Sequence, residues 1–220
     1  GWVSGSLRAD TDLLAFTSTA PAAGDPPATK ASASAIASHL PSTTRVAVEF
    51  RDFGAAVVAG IDMLKEQAAC APEAAEVVDQ VEQALAAVGG AEGLIGWADD
   101  TALAVSLDGD AFGGGLAATV ADEAAADRAV DQIQALLALG GAGSGLTVRT
   151  EAYGDGELLV IKLPADVELM ADELPELAVT AQGGIFVLGT LDFVKEVVDT
   201  DAASSLAATD AYERAIAAAG

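Results

Sequence analysis

A single cysteine, Cys70, stands in 220 residues, so no internal disulfide can form and the fold must rest on its own core, in either redox compartment. A single histidine, His39, leaves no histidine-rich zinc site. Any Ser-His-Asp device would have to use that one imidazole, and no nucleophile motif lies beside it. Cations are scarce too: 10 Lys and Arg against 34 Asp and Glu give a formal net charge of -24. Arg45, Arg51, Arg128, Arg149, Lys162 and Lys195 stand singly among carboxylates, whereas tracking a phosphate backbone requires a basic stripe that releases counterions. Nucleic acid is therefore excluded as a partner, and anionic membrane surfaces are disfavoured on the same ground. No stretch reaches the roughly 18 consecutive apolar residues that would suggest a membrane span. The chain opens on Gly1 rather than Met, so the expectation is that a natural start lies upstream, where a signal peptide or lipid anchor would stand.

What is present is apolar and well patterned. Hydrophobic residues make up 52% of the chain, too many for wholesale disorder, and a chain of this length can bury roughly 70 to 75% of its unfolded surface. Residues 1–20 alternate as a β-hairpin, with Ala9-Asp10-Thr11-Asp12 as its turn. Residues 21–37, with Pro21, Gly24, Pro26 and Pro27, read as a linker and short helix ending near Leu40-Pro41. The expected organisation is thus a hairpin at 1–20 completing an upstream module, a linker and short helix at 21–37, and an α+β module at 38–220.

Within that module Arg45-Val46-Ala47-Val48-Glu49-Phe50 has the period of a strand. Val57, Val58, Ile61 and Leu64 form one helical stripe, and Val77, Val81, Leu85 and Val88 a second, separated by Pro72 and closed by Gly89-Gly90. Residues 101–107 and 115–120 form a hairpin across Asp108-Gly109-Asp110. Asp122-Glu123 then opens a helix with Ala126, Val130, Ile133 and Leu137 inward, its first-turn acids matching the helix dipole. Residues 146–149 with 158–161, and 177–180 with 185–188, make two more hairpins. Helices follow at 191–198 and 208–219. Hairpins with intervening helices, without regular strand-helix-strand alternation, predict an α+β fold: a largely antiparallel sheet with helices packed on one face. Val46, Val48, Leu103, Val105 and Val187 are expected in the core, beneath the helices around Ile61, Val81 and Ile133.

Three segments carry a family likeness: Ser38-His39-Leu40-Pro41-Ser42-Thr43-Thr44-Arg45-Val46-Ala47-Val48, the hairpin-helix-hairpin of residues 102–162, and the ending from Val187-Leu188-Gly189-Thr190-Leu191-Asp192-Phe193 through Ser204-Ser205-Leu206 to Tyr212-Glu213-Arg214. In these the chain resembles the later portion of the uncharacterised DUF 3352 family of bacterial envelope proteins. The resemblance implies two related α+β modules behind a signal or anchor, with residues 1–20 ending the first, and an extracytoplasmic location, secreted or membrane-anchored. It implies no catalytic residue.

Acid-base chemistry needs paired carboxylates with separated pKa values. The neighbours available are Asp99 with Asp100, Asp108 with Asp110, and Asp155 with Glu157. All lie in turns, where Asp bonds its own backbone, and turn chemistry is the favoured reading. Asp108-Gly109-Asp110 lacks the ligand alternation and later Glu of a calcium loop. His39 reads as a solvent-facing helix-end histidine and Cys70 as an interhelical loop residue. Gly113-Gly114-Gly115 enters a strand, and the glycines of 140–145 leave a helix, so neither is a phosphate loop; a hairpin bulge and a flexible connector are expected instead. Trp2 and Trp97 read as core or interface anchors, with a rim position the alternative for Trp97. The acidity reads as a solvated surface, with a basic partner or salt adaptation as the sharper alternatives. The functional expectation is a non-enzymatic extracytoplasmic binding or structural module of a cell-envelope protein, with no cofactor, no metal and no catalytic residue. Its partner would be an unknown envelope protein or ligand, and any membrane contact would run through an upstream anchor. The alternatives are an apolar-ligand carrier, or a hydrolase using a carboxylate pair from Asp99, Asp100 and Asp155.

Overall fold

Antiparallel pairing organises the chain. The computed structural model describes residues 4–9, 14–19, 34–68, 89–108, 111–140, 145–164 and 176–219, which fall into two units. One unit holds the hairpin of β1 (Ser4–Ala9) and β2 (Leu14–Thr19), paired from Ser4 with Thr19 to Ala9 with Leu14, and the C-terminal helix Asp210–Ala219. The other, Ser34–Ala208, carries the main sheet. The linker at 21–33, the helix expected around Val77 and Val81, Trp2 and Cys70 lie outside the described residues.

The larger unit begins with a 3-10 turn, Ala35–Ser38, followed by β3 (Thr44–Phe50), α1 (Phe53–Ala68), a short α2 (Gly90–Ile95), β4 (Ala98–Asp108), β5 (Ala111–Val120) and α3 (Glu123–Gly140). It continues with β6 (Thr147–Tyr153), β7 (Gly156–Lys162), β8 (Leu177–Gln182), β9 (Ile185–Thr190), α4 (Leu191–Asp199) and a second 3-10 turn, Leu206–Ala208. The seven strands lie in the order β3-β4-β5-β9-β8-β7-β6, every neighbour antiparallel. The chain makes a meander to β5, crosses through α3 to the far edge at β6, and returns hairpin by hairpin until β9 closes against β5. The α+β class with an antiparallel sheet holds. The β8–β9 connection is a two-residue turn at Gly183-Gly184, both at positive φ, which suits the right-handed twist of the strands it joins.

Register assigns each side chain to a face. On one face Ala118, Phe186, Val179 and Leu159 are buried under α3, whose Ala126 and Ala129 join that core while Val130, Ile133 and Leu137 pack against it. Trp97 is buried there too, its ring centroid 4.8 Å from that of Phe186; it is a core anchor, not a rim residue. The opposite face is covered by α4 through Phe193, Val194 and Val197, and by the 3-10 turns through Ile36, Leu40 and Leu206. Helices are thus shared between the two faces of the sheet.

One local expectation changes. Gly113-Gly114-Gly115 is no bulge: the three residues pair in unbroken register with Ser106, Val105 and Ala104. Gly115 pairs with Gly189, and a Cβ on either would collide with backbone and come within 2.9 Å of the Phe193 ring. The glycines form a trough that lets α4 lie close on the strands. Gly89 stands at the N-cap of α2, at φ +84.

Candidate functional site

The first face carries α3 on only part of its width. Alternate positions of β3, β4 and β5 place Val46, Val48 and Phe50 beside Val105, Leu103 and Thr101, and Leu107 beside Phe112. Only Val187 of the five expected core residues is fully buried, and Val105 is half-buried. Val46 is 55% exposed, Val48 50% and Leu103 49%, and Phe112 reaches 66%. Val187, paired with Ala117, lies on the other face, whereas Val46, Val48, Leu103 and Val105 do share one face. Whether an element lies over that face is a separate matter that the pattern does not encode. α1 does not cover it: Phe53 packs against the core, while Met63 and Leu64 near the other end of the helix are exposed. Leu107, Leu188 and Phe50 extend the open area. The result is an apolar sheet face with no charged side chain on the outward positions of β3 and β5 or on 101–107 of β4, among the described residues.

The other face carries a polar network where α4 meets β6. Arg149 donates to both carboxylate oxygens of Glu176 at 2.8 and 2.7 Å, and Lys195 Nζ donates to Glu151 at 2.9 Å. Tyr153 donates to Asp199 at 2.5 Å, with Lys195 Nζ 5.1 Å from the ring centroid. The Asp199 carboxylate accepting that hydrogen bond pushes the Tyr153 phenol up to about 12. Hydrogen bonding from Lys195 and Arg149 holds Glu151 and Glu176 below the usual carboxylate value. Beyond α4 a hollow of about 380 Å³ is lined by Ser42, Thr43, Lys195, Glu196 and Asp199 among others, and Thr43 donates to Glu196 across it at 2.9 Å. Tyr153 stays neutral and Glu151 and Glu176 stay ionised at neutral pH, so none of the three is poised to exchange a proton there. The network fastens α4 to both flanks of the sheet.

The carboxylates suspected of catalysis disperse. Asp100 accepts the backbone N–H of Ala35 at 2.7 Å, capping the 3-10 turn, and Asp99 is exposed. Asp155 occupies the β6–β7 turn. Four strand spacings separate β4 from β7, roughly 19 Å, so Asp99 and Asp100 do not meet Asp155. Glu157 is exposed, and its backbone carbonyl accepts from Thr180. The side chains of Asp108 and Asp110 lie outside the described residues. His39 ends its 3-10 turn as expected, but it is half-buried rather than solvent-facing, and burial lowers its pKa. A second hollow of about 180 Å³, between α3 and the β8–β9 turn, is lined by Glu123, Asp127 and Gln182 as well as apolar groups. Both hollows carry charged side chains, whereas the open sheet face at β3, 101–107 of β4 and β5 carries none among the described residues.

Sequence reasoning missed the α4 network. Its one legible trace was Arg149 and Glu151 sharing a strand face; that α4 would bring Lys195 to them depends on the crossover. Among the described residues, no helix is long and apolar enough to cross a membrane. Comparison of the chain with protein-family models, curated proteins and solved structures finds no match.

Proposed function

We propose that the chain is a non-enzymatic binding module of a bacterial cell-envelope protein, acting through the open face of β3, β4 and β5. One observation carries the binding role: five large apolar side chains, Val46, Val48, Leu103, Leu107 and Phe112, stand exposed together on a face whose other part is sealed by α3. Single exposed apolar residues need no explanation, but a contiguous patch on a rigid sheet marks an interaction surface. The dispersal of Asp99, Asp100 and Asp155 removes the motive for a carboxylate-pair hydrolase. Among the described residues both hollows are open and carry charged side chains, Glu123 and Asp127 in one and Asp192, Lys195, Glu196 and Asp199 in the other, which gives no support to an enclosed apolar-ligand carrier. The envelope location is supported by the resemblance of residues 38–48, 102–162 and 187–216 to envelope proteins.

The binding role is tested with Nile red, a neutral probe unaffected by a charge of -24. Its fluorescence is expected to rise and shift to the blue on the intact chain, and to lose most of that response in Leu103→Lys with the fold retained by circular dichroism. An unchanged response in Leu103→Lys would remove the face from consideration. The location is tested by fusing the full reading frame to alkaline phosphatase, which is active only outside the cytoplasm; an inactive fusion would reject it.

A further inference from the structure

We propose that the occupant of the open face is a second copy of this chain, the two sheets stacking β3-β4-β5 against β3-β4-β5 about a twofold axis. The inference rests on reading that face as a binding surface and adds the partner.

Three properties of the face fit a copy of itself. The first is shape. On β5, Phe112 projects as a knob with 66% of its surface exposed. Two residues along the same strand face, Gly114 has no side chain and leaves a dip, the nearest atoms to an added Cβ being Ala104 O at 3.1 Å and Val105. Knob and dip lie about 7 Å apart. A twofold axis between them seats each Phe112 over the partner's Gly114, the reciprocity an isologous contact requires.

The second is charge. A chain with net charge -24 repels its copy, so self-association needs a face on which like charges do not meet. Alternate positions across β3, 101–107 of β4, and β5 provide one. The charges bordering it on and just after the edge strand, Arg45, Glu49, Arg51 and Asp52, are of both signs. A single-sign border would favour a partner of opposite charge; a mixed border can be matched by itself.

The third is area. From the fractional exposures the patch amounts to roughly 600 Å², the upper end for a monomer's largest apolar patch. Two such patches bury roughly 1,200 Å², the lower end of stable specific interfaces. The expected complex is a reversible dimer with a dissociation constant in the micromolar range.

Sedimentation equilibrium of the full chain from about 1 to 200 µM tests this, at salt of about 0.15 M and about 0.5 M. A monomer–dimer equilibrium is expected, with the dimer tightened at higher salt because screening relieves the repulsion between copies. Phe112→Ala is expected to weaken association at least about tenfold, and Val48→Lys to leave only monomer; both side chains are exposed, so both variants should fold. A chain that is monomeric throughout the range at both salts overturns the inference, as does a dimer unaffected by both variants. If the chain is monomeric but Leu103→Lys still abolishes the Nile red response, the binding face stands and only the second copy is rejected.

Discussion

Gly115 shows how one missing side chain shapes the centre of the sheet. A Cβ there would strike Leu188 O and lie 2.7 Å from the Gly189 Cα and 2.9 Å from the Phe193 ring. Two of these neighbours are backbone and the third is fully buried, so none can yield cheaply. Gly115→Ala is expected to cost about 3 kcal/mol or more, read as a lowered urea midpoint, whereas Gly114→Ala, facing the open side, should stay within about 1 kcal/mol. His39 gives a pH signature. Burial depresses its folded pKa below 6.5, so the unfolded chain binds the proton more tightly. Its contribution to stability is complete above pH 6.5 and is lost as pH falls through the folded value. Glu151 and Glu176, depressed from 4.5, act in the same direction only below pH 4.5, which leaves the His39 window separate. Urea titrations between about pH 5 and 8 should show a decline on the acid side that His39→Gln removes. Tyr153 acts at the other extreme: its folded pKa is raised from 10 to about 12, so its bond to Asp199 contributes fully below pH 10 and is lost as pH climbs toward 12. Tyr153→Phe should flatten that alkaline decline. The single histidine was plain in the sequence, but its half-burial follows from Ile36 and Leu40 anchoring the 3-10 turn on the sheet, a contact that no local pattern encodes.

Elements with similar periodicity meet different fates. The inner stripe of α3, Ala126, Val130, Ile133 and Leu137, is the one the spacing predicts, and each member lies in or against the core. Ile133→Asp would set a charge without a partner against that core and is expected to cost about 3 kcal/mol or more. β3 has an equally regular alternation, yet Val48→Lys should change the unfolding free energy of the monomer, read well below the dimer's dissociation constant, by less than about 1 kcal/mol, because Val48 is half exposed and a long cationic stem can lie along the apolar face. Thermal unfolding of the two variants side by side checks both. If Val48→Lys were as damaging as Ile133→Asp, the face would be covered and not open. Hairpins were legible because turn chemistry is local: Gly183-Gly184 between two apolar runs specifies its own turn. The pairing of β5 with β9 was not legible. Those strands are joined through α3 and three further strands, and no residue in either names its partner.

Across the folded chain, the net charge of -24 sets a general expectation. Raising sodium chloride from about 0.05 to 0.5 M should raise the melting temperature, since screening relieves repulsion more than it weakens the exposed ion pairs. A fall would mean that ties such as Arg149 to Glu176 outweigh the repulsion. Periodicity and turn residues were sufficient to read the α+β class, the antiparallel hairpins and the inner stripe of α3, because each depends on contacts between residues close in sequence. The order of the strands, the glycine trough beneath Phe193, the network joining β6 to α4 and the exposure of Val46, Val48 and Phe112 were set by the fold. Period two sorts side chains between the faces of a strand, but burial requires a second layer. α3 reaches one end of the sheet because of where its crossover lands, and among the described residues no helix covers Val46, Val48, Leu103 and Phe112 beyond it.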